Sequence, residues 1–332
     1  MSRGPAAILA AAWLGLALTA SGQAASGVLP PDRAPSAHAD GEGGGALPEP
    51  LPAEARLIAV GAALTDTVCA LGAGGRLIAT DDGGRELPET AHLPSVGYAR
   101  TLSAEGLLAL APDALLVGPE AGPPAVLQQV RAAGLRVIVL PLEASEDGAC
   151  ARLRAVAALL GRPERGEELV DELQRELSGL RAALARRDGP APRVLFLYAR
   201  SATSLHAAGR GTPGDAMLTL AGATNALADV EGYTLLSPEA AVSAAPEALV
   251  VPARSLEVMG GLEALSAHPG LSLTPAVREG RIVALDELLL LGFGPATGRA
   301  ARLLAARLDP ELALADPAGD RPAAPAGSPG AR

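Results

Sequence analysis

The chain has 332 residues, a formal net charge of −10 at pH 7 and a hydrophobic fraction of 49%. This length predicts two domains, each large enough to bury a core. The negative charge argues against a nucleic-acid-binding protein, since contacts to phosphate require a basic face. Aromatic residues make up only 2% of the chain, so each tyrosine is a candidate for a role in a site.

The N-terminal region has the pattern of an export signal. A charged start at Arg3 precedes an apolar stretch at 6–20, and small residues suited to signal peptidase follow. We predict a cleavable signal peptide at 1–25 and a periplasmic protein, with an uncleaved anchor as the alternative. Gly, Pro, Ala and Ser dominate 26–54 and 311–332, which predicts a disordered linker and a disordered tail.

Strand and helix patterns alternate in residues 55–148, which we predict to form an N-terminal α/β lobe. Short apolar runs typical of buried parallel strands occur four times, at 56–60, 76–80, 114–118 and 135–141. Helical patterns separate them, at 63–71, 102–110 and 123–133. This alternation predicts a parallel sheet flanked by helices.

The pattern becomes purely helical in residues 149–190, with a break at 161–163. Leucines recur at helical spacing through 163–187, and acid–base pairs occupy the other face. About 25 helical residues at about 1.5 Å each give a rod of roughly 37 Å. We predict that 149–190 form an interlobe helix that holds two lobes at a fixed distance.

Residues 191–310 are predicted to form a C-terminal α/β lobe. Strand patterns lie at 193–198, 248–252 and 281–286, a turn at 207–213, and helical patterns at 214–221, 238–245, 258–267 and 295–308. The predicted fold class is therefore α/β, with two Rossmann-like lobes joined by a long rigid helix.

An internal repeat supports this division. LSAEGLLALAPDALLV at 102–117 returns at 236–251 as LSPEAAVSAAPEALVV, with each matching residue 134 positions later. In both copies an amphipathic helix runs through a proline–acid step into a short apolar strand. Two similar lobes predict a cleft between them, where ligands bind.

No catalytic constellation is present, so we predict that the protein is not an enzyme. A secreted α/β hydrolase is an alternative, but the chain has no Gly-x-Ser-x-Gly elbow, and Ser103 and Ser237 have the positions of helix caps. A scaffold protein without a ligand is a further alternative. The four histidines, at 38, 92, 206 and 268, are too scattered for a dedicated metal cage.

Tyr98 is the strongest candidate site residue. It lies in a polar loop, LPSVGYART, after the second predicted strand, where the carboxyl edge of a parallel sheet presents ligand loops. Arg100 is two residues away, so in an extended stretch both side chains point to the same side. A nearby guanidinium favours the phenolate form, and phenolate is a hard anionic ligand for ferric iron. An ordinary half-buried loop tyrosine is the alternative.

Four sequence blocks resemble one known family. They are RLIAVGAALTDTVCALGAGGRLIATD at 56–81, LPSVGYARTLSAEGLLAL at 93–110, GRGTPGDAML at 209–218 and LLLLGFGPATG at 288–298. The chain resembles the periplasmic haem-binding proteins that feed ABC-type haem importers, over about residues 56–308. The resemblance implies a class III binding-protein fold that holds haem, ferric protoporphyrin IX, as a transported ligand between two lobes.

The resemblance also implies site residues. The family's axial tyrosine falls on Tyr98, its hydrogen-bonding arginine on Arg100, and an arginine from the second lobe on Arg254. Some relatives use a second axial ligand, a histidine, which has no clear match here. His206 is either a substitute for it or a solvated loop residue, and Tyr233 either stacks on the porphyrin or packs.

Two glutamates occupy equivalent places in the repeat. Glu105 and Glu239 lie at the starts of the repeated helices, where an acid also favours the helix dipole. The resemblance implies that they pair with arginines of an importer permease, which works with its ATPase, and that the protein acts as a monomer. A vitamin B12 or ferric-siderophore carrier of the same fold is the alternative. Cys69 and Cys150 are predicted to be buried thiols, with a disulfide as the alternative.

Overall fold

The computed structural model describes residues 49–201, 204–312 and 314. The predicted signal peptide, most of the predicted linker and nearly all of the predicted tail lie outside these residues. Leu51, near the end of the predicted linker, is buried and its N–H donates to the Leu159 carbonyl at 2.8 Å. None of the described helices is both long and apolar enough to cross a membrane.

The first lobe is built on a four-stranded parallel sheet. Its strands are β1 (Leu57–Val60), β2 (Leu77–Thr80), β3 (Ala114–Val117) and β4 (Arg136–Val139), in the order β2-β1-β3-β4. Its helices are α1 (Ala62–Ala70), α2 (Ala104–Ala109) and α3 (Pro124–Ala132), with short 3-10 turns at Gly74–Arg76 and Gly84–Glu86. All residues of β1 and β3 are buried, as expected for central strands that are covered on both faces.

Two helices, α4 (Glu146–Leu160) and α5 (Pro163–Leu184), form the connection between the lobes. Gly161 ends α4 with a φ of 69°, a left-handed conformation that glycine adopts at little cost. Ion pairs join Arg154 to Glu167 and Arg181 to Glu146, so the two helices pack side by side in opposite directions. The predicted break at 161–163 separates the two helices, and the longer one, α5, has 22 residues and corresponds to the predicted rod at 163–187.

The second lobe contains a mixed sheet. Its strands are β5 (Arg193–Ser201), β6 (Ser204–Ala208), β7 (Thr224–Asn225), β8 (Tyr233–Leu235), β9 (Ala248–Pro252) and β10 (Ile282–Leu285). The order is β10-β9-β5-β6-β8, with β7 also paired to β5. The pairs β5–β6 and β6–β8 are antiparallel. The sequence analysis predicted a turn at 207–213 and missed β6 and β8, which form an antiparallel extension of the parallel strands.

The helices of the second lobe surround this sheet. They are α6 (Pro213–Leu220), α7 (Pro238–Ala244), α8 (Ala253–Val258), α9 (Gly261–Ser266), α10 (Pro275–Arg278), α11 (Glu287–Leu291) and α12 (Thr297–Leu308). The helix predicted at 258–267 is divided into the end of α8 and α9. Gly260 and Gly261 separate them with φ angles of 93° and 91°, which interrupt a right-handed helix.

The sequence repeat is also a structural repeat. Ser103 caps α2 by accepting from the Gly106 N–H at 3.3 Å, and Ser237 caps α7 by accepting from the Ala240 N–H at 3.1 Å. Each helix is followed by an alanine with positive φ and an acid that accepts from the backbone N–H where the neighbouring strand begins. These residues are Ala111, Asp113 and Arg56 in the first lobe and Ala245, Glu247 and Arg193 in the second.

One hydrophobic core joins the two sheets to the connecting helices. It contains buried residues from every part of this arrangement, including Leu57, Leu153, Leu177, Phe196 and Phe293. Two smaller clusters lie on the other faces of the two sheets. Because side chains of both lobes are buried in the same core, the fold favours a fixed distance between the two lobes. The predicted fold class, α/β with two Rossmann-like lobes joined by a long rigid helix, is confirmed.

Candidate ligand-binding groove

The tyrosine loop, residues 94–101, is held to the carboxyl edge of the first sheet by its backbone. The Asp82 N–H donates to the Gly97 carbonyl at 3.0 Å, and the Gly122 N–H donates to the Ala99 carbonyl at 3.0 Å. Gly97 has a φ of 88°, a conformation that is strained for other residues. The Tyr98 side chain is 47% exposed. The loop therefore combines a fixed backbone with a phenol that is available to a ligand.

Arg100 lies on the same loop and forms an ion pair with Glu120. Glu120 belongs to the loop that follows β3, so the ion pair joins two neighbouring loops at one sheet edge. Arg100 was predicted from the sequence as a site residue, whereas Glu120 was not. This ion pair gives the Arg100 guanidinium a defined position beside the tyrosine loop.

An aromatic and charged cluster is centred on Tyr198 of β5. The Tyr198 hydroxyl donates to Glu287 Oε1 at 3.2 Å, and its ring centroid lies 6.0 Å from that of Tyr233. The Arg200 Cζ atom is 5.8 Å from the centroid of the Tyr198 ring, within the range of a cation–π contact. Tyr198 and Arg200 lie on one face of β5 because alternate residues of a strand point to the same side.

The electrostatic environment of Arg200 includes charges from both lobes. Burial lowers the pKa of Arg200, but the hydrogen bond with Tyr198, the charge of Tyr198 and the charge of Tyr98 outweigh it. The net pKa of Arg200 is raised, with Arg100 opposing the rise. Arg200 of the second lobe therefore interacts electrostatically with both Tyr98 and Arg100 of the first. We call the space between them the groove.

Tyr198 and Arg200 were not predicted from the sequence, although a signal for them was present. Tyr-Ala-Arg occurs at 98–100 and again at 198–200. The structure brings these two copies together from opposite lobes. The repeated tripeptide falls outside the longer repeat at 102–117 and 236–251, and it was therefore missed.

Tyr233 and His206 lie beside Tyr198 in the second sheet. Tyr233 packs against the shared core, and burial raises its pKa to about 12 against the opposing hydrogen bond from the Gly214 backbone. His206 is half-buried and stands opposite Tyr198 in the β5–β6 ladder, with its Nδ1 atom 3.5 Å from the Ser204 hydroxyl.

Arg254 connects the two lobes at another point. It lies in the first turn of α8 and forms an ion pair with Glu86, in the 3-10 turn that follows β2. Both side chains are more than half exposed, at 60% and 55%, and exposed ion pairs contribute only about 0–1 kcal/mol. Glu86 is therefore a weak partner that the carboxylate of a ligand can replace.

Glu105 and Glu239 are both exposed on the outer faces of α2 and α7. Within the described part of the chain, neither has an ion-pair partner within 4.0 Å. They lie in the first turns of the repeated helices α2 and α7, which do not carry the groove residues. Their positions leave both carboxylates available to another molecule.

Behind the groove, α1 of the first lobe meets the segment around α11 of the second. A cavity of about 90 Å³ lies there, lined by Asp66, Asp286 and Phe293 among others. A pocket for a drug-sized ligand is about 300–1,000 Å³, so this cavity is too small for such a ligand. Burial, followed by the charges of Glu89 and Asp286, raises the pKa of Asp66 to about 6.

Cys69 and Cys150 are free thiols, and burial raises the pKa of both.

We expect Asp66→Asn to stabilise the protein at neutral pH. Because the folded-state pKa of Asp66 is above its usual 3.8, its protonated form favours folding, and this contribution is lost as pH rises from about 4 through about 6. A shift of this size corresponds to at most about 3 kcal/mol. Denaturant unfolding at pH 4 and pH 7.5 should show a higher free energy of unfolding for the variant than for the native protein only at pH 7.5. Asp171→Asn, at an exposed position on α5, is the control, and an equal gain for both variants would contradict the assignment.

A family model described as periplasmic binding protein matches residues 57–289, which include both sheets. This match covers more than two thirds of the chain. The chain belongs to the periplasmic binding protein family. The family resemblance stated from the sequence is thus confirmed.

Individual members of the family with solved structures are similar over nearly their whole length. The periplasmic haem-binding protein RhuT from Roseiflexus sp. RS-1, in its apo form, is 40% identical with a TM-score of 0.73, covering 76% of this chain and 97% of that chain. The periplasmic haem-binding protein HutB of Vibrio cholerae is 34% identical with a TM-score of 0.69, covering 77% and 99%.

A more distant member of the family is the vitamin B12-binding protein of Vibrio cholerae. It is 25% identical over 185 residues, which cover 56% of this chain and 65% of the relative. The chain thus spans less than two thirds of the length of this curated relative. The structural matches are both more identical and more complete.

Proposed function

We propose that this protein is an extracytoplasmic haem-binding protein that captures haem in the groove and delivers it to an ABC importer. The observation that carries the proposal is the position of Tyr98, an exposed phenol on a backbone-anchored loop that interacts electrostatically with Arg200 of the other lobe. Two relatives whose printed names describe haem-binding proteins match this chain at 40% and 34% identity.

The chemistry of haem fits the groove residues. Ferric iron prefers a hard anionic oxygen ligand, and tyrosine is one of the recognised axial ligands of haem. Tyr98 provides this ligand in the proposal. Arg100 and Arg200 add positive charge to the same part of the groove.

The haem propionates are carboxylates and require positively charged partners. Arg254 holds only an exposed contact with Glu86, so it can exchange that carboxylate for a propionate at little cost. Arg100 and Arg200 offer further guanidinium groups in the groove. The porphyrin faces would pack mainly against aliphatic side chains, because aromatic residues form only 2% of the chain.

The proposed location is the periplasm, which the protein reaches through the predicted cleavable signal peptide. It acts there as a monomer and makes no covalent change to its ligand. Glu105 and Glu239 are the proposed contacts to permease arginines, and the ATPase of the importer drives release into the transport path. Membership of a family of binding proteins favours ligand binding over the alternative of a secreted hydrolase.

The second candidate function is transport of vitamin B12 or a ferric siderophore on the same fold. The vitamin B12-binding relative, at 25% identity, favours this candidate. Such ligands do not need an iron-binding phenolate from the protein. Haem is the better candidate because an exposed tyrosine and guanidinium groups from both lobes converge on the groove.

Titration of the mature protein tests these alternatives directly. We expect ferric haem to give a Soret band and a charge-transfer band typical of high-spin iron bound by phenolate. Cobalamin and a ferric siderophore, added in excess, should not displace it. Tight binding of either competitor, without any specific haem spectrum, would contradict the proposal.

A further inference from the structure

Arg152 is a charged residue in the interior of the protein. It lies on α4, is 1% exposed and is among the largest side chains that the fold buries completely. Within the residues that the structure describes, it forms no ion pair, and its Nε atom has no hydrogen-bond partner. Burial lowers its pKa to about 10, so the guanidinium is charged at neutral pH. A buried charge without an opposite charge is costly, which indicates a role beyond filling the core.

Backbone carbonyls from both lobes hold the Arg152 guanidinium. Its Nη1 atom donates to the Gly292 carbonyl of the second lobe at 3.0 Å, and its Nη2 atom donates to the Glu143 carbonyl of the first lobe at 3.5 Å. The Glu143 carbonyl packs closely against α4, since a Cβ atom added to Gly148 would lie 2.5 Å from its oxygen. Arg152 therefore ties one peptide of each lobe to the connecting helix α4.

The Gly292 carbonyl belongs to a peptide next to a strained residue. Phe293 has a φ of 48°, and its side chain is buried in the core that the two lobes share. A positive φ is unusual for a bulky residue and persists only where the surrounding structure fixes it. The Gly292 carbonyl and the Phe293 nitrogen share one peptide plane, so the hydrogen bond from Arg152 helps to fix this conformation.

Helix α11 leads from this peptide to the groove. Gly292 is the C-cap of the helix, and Glu287 is its first residue. The Glu287 Oε1 atom accepts a hydrogen bond from the Tyr198 hydroxyl at 3.2 Å. The helix has five residues, which correspond to a length of only about 7 Å. A displacement of the Gly292 peptide is therefore expected to reach the Glu287 carboxylate.

We propose that Arg152 is a positioning residue for haem binding, which fixes the Gly292 carbonyl and, through α11, the Glu287 carboxylate at the groove. This inference rests on the proposed function. Glu287 in turn orients Tyr198, and the Arg200 guanidinium lies near the Tyr198 ring. Without the buried cation, α11 can shift, and the second-lobe side of the groove no longer has one fixed arrangement. The cost of burying the charge is then offset by a rigid binding site.

The chain has only three tyrosines, so the surroundings of Glu287 can be followed without haem. Mature protein labelled with 3-fluorotyrosine gives one ¹⁹F NMR resonance for each, and replacement of each tyrosine by phenylalanine assigns them. Arg152→Met keeps an unbranched side chain and removes the donors. We expect it to move the Tyr198 resonance toward its position in Glu287→Gln and to leave the Tyr98 resonance at its native position. A residue that only stabilises the fold would move neither.

Haem-loaded protein tests the consequence for the ligand. We expect Arg152→Met to release haem to an excess of apomyoglobin roughly tenfold faster than the native protein, with the charge-transfer band retained. The control is Arg154→Met, which removes an exposed arginine of the same helix together with its ion pair to Glu167 and should release haem at the native rate. Arg152→Lys keeps one donor group and should lie between Arg152→Met and the native protein.

The two measurements together decide the inference. If Arg152→Met folds and keeps the native Tyr198 resonance, or shifts that resonance but releases haem at the native rate, Arg152 is not a positioning residue. If Arg152→Met does not fold, Arg152→Lys is measured in its place, and its failure to fold or its native values would show that Arg152 serves stability alone. If the native protein binds no haem, the proposed function fails, whereas the ¹⁹F spectra still show whether Arg152 fixes Glu287.

Discussion

Tyr98→Phe should abolish the charge-transfer band of the haem complex and weaken haem binding at least about 100-fold, or about 2.7 kcal/mol. The variant keeps the ring and removes only the oxygen that would bind iron. The backbone of the tyrosine loop is held by hydrogen bonds from Asp82 and Gly122, which the substitution leaves in place. Haem titration followed by absorbance at the Soret and charge-transfer bands measures both effects.

Tyr198→Phe is the matched control, because Tyr198 is the other phenol near Arg200. Burial and the adjacent Glu287 raise the pKa of Tyr198, against the opposing effect of Arg200. This environment favours the neutral phenol and makes Tyr198 a less suitable iron ligand. We expect Tyr198→Phe to retain the charge-transfer band. If that variant loses the band and Tyr98→Phe retains it, the iron ligand lies on the second lobe.

Regular elements were largely predictable from the sequence because local patterns determine them. The apolar runs at 56–60 and 248–252 became β1 and β9, whose residues are buried in the centres of their sheets. The break at 161–163 became the turn between α4 and α5, since Gly161 ends one helix and Pro163 starts the next. The internal repeat predicted equivalent helices in both lobes, and the structure confirms them.

The antiparallel strands were not predictable by the same reasoning. β6 and β8 are short, with five and three residues, and His206 and Tyr233 do not give a simple alternation of apolar and polar side chains. Their pairing is determined by β5, whose nine residues extend beyond the parallel part of the sheet. That extension carries Tyr198 and Arg200 to the groove.

The contacts between the lobes also could not be predicted, because they join exposed residues that are distant in the chain. Arg254 and Glu86 are separated by more than half of the folded region, and neither belongs to a motif that indicates the other. Arg100 was selected for its distance from Tyr98 along the chain, whereas its ion pair with Glu120 depends on how two loops follow neighbouring strands. Such pairs require the three-dimensional arrangement of the sheet edges.

Gly298→Ala should destabilise the protein by about 2–3 kcal/mol and lower its melting temperature by about 5–10 °C. Gly298 is in the first turn of α12, where the helix approaches α5 closely. An added Cβ atom would lie 2.7 Å from the Leu173 carbonyl oxygen and 2.6 Å from the Glu176 Cβ atom. Since a backbone carbonyl cannot rotate away as the end of a side chain can, α12 must move outward from α5.

Gly179→Ala is the control for this helix contact, because it makes the same chemical change on α5 where there is space. Its added Cβ would meet only the Arg302 guanidinium, at 3.5 Å, and alanine in a helix interior is favoured over glycine by about 0.5–1 kcal/mol. Thermal unfolding should therefore move in opposite directions for the two variants. Below its melting transition Gly298→Ala should still give the native haem spectrum, because the contact lies at the connecting helices and not at Tyr98. A melting temperature equal to that of the native protein would show that α5 and α12 are not packed as closely as the shared core requires.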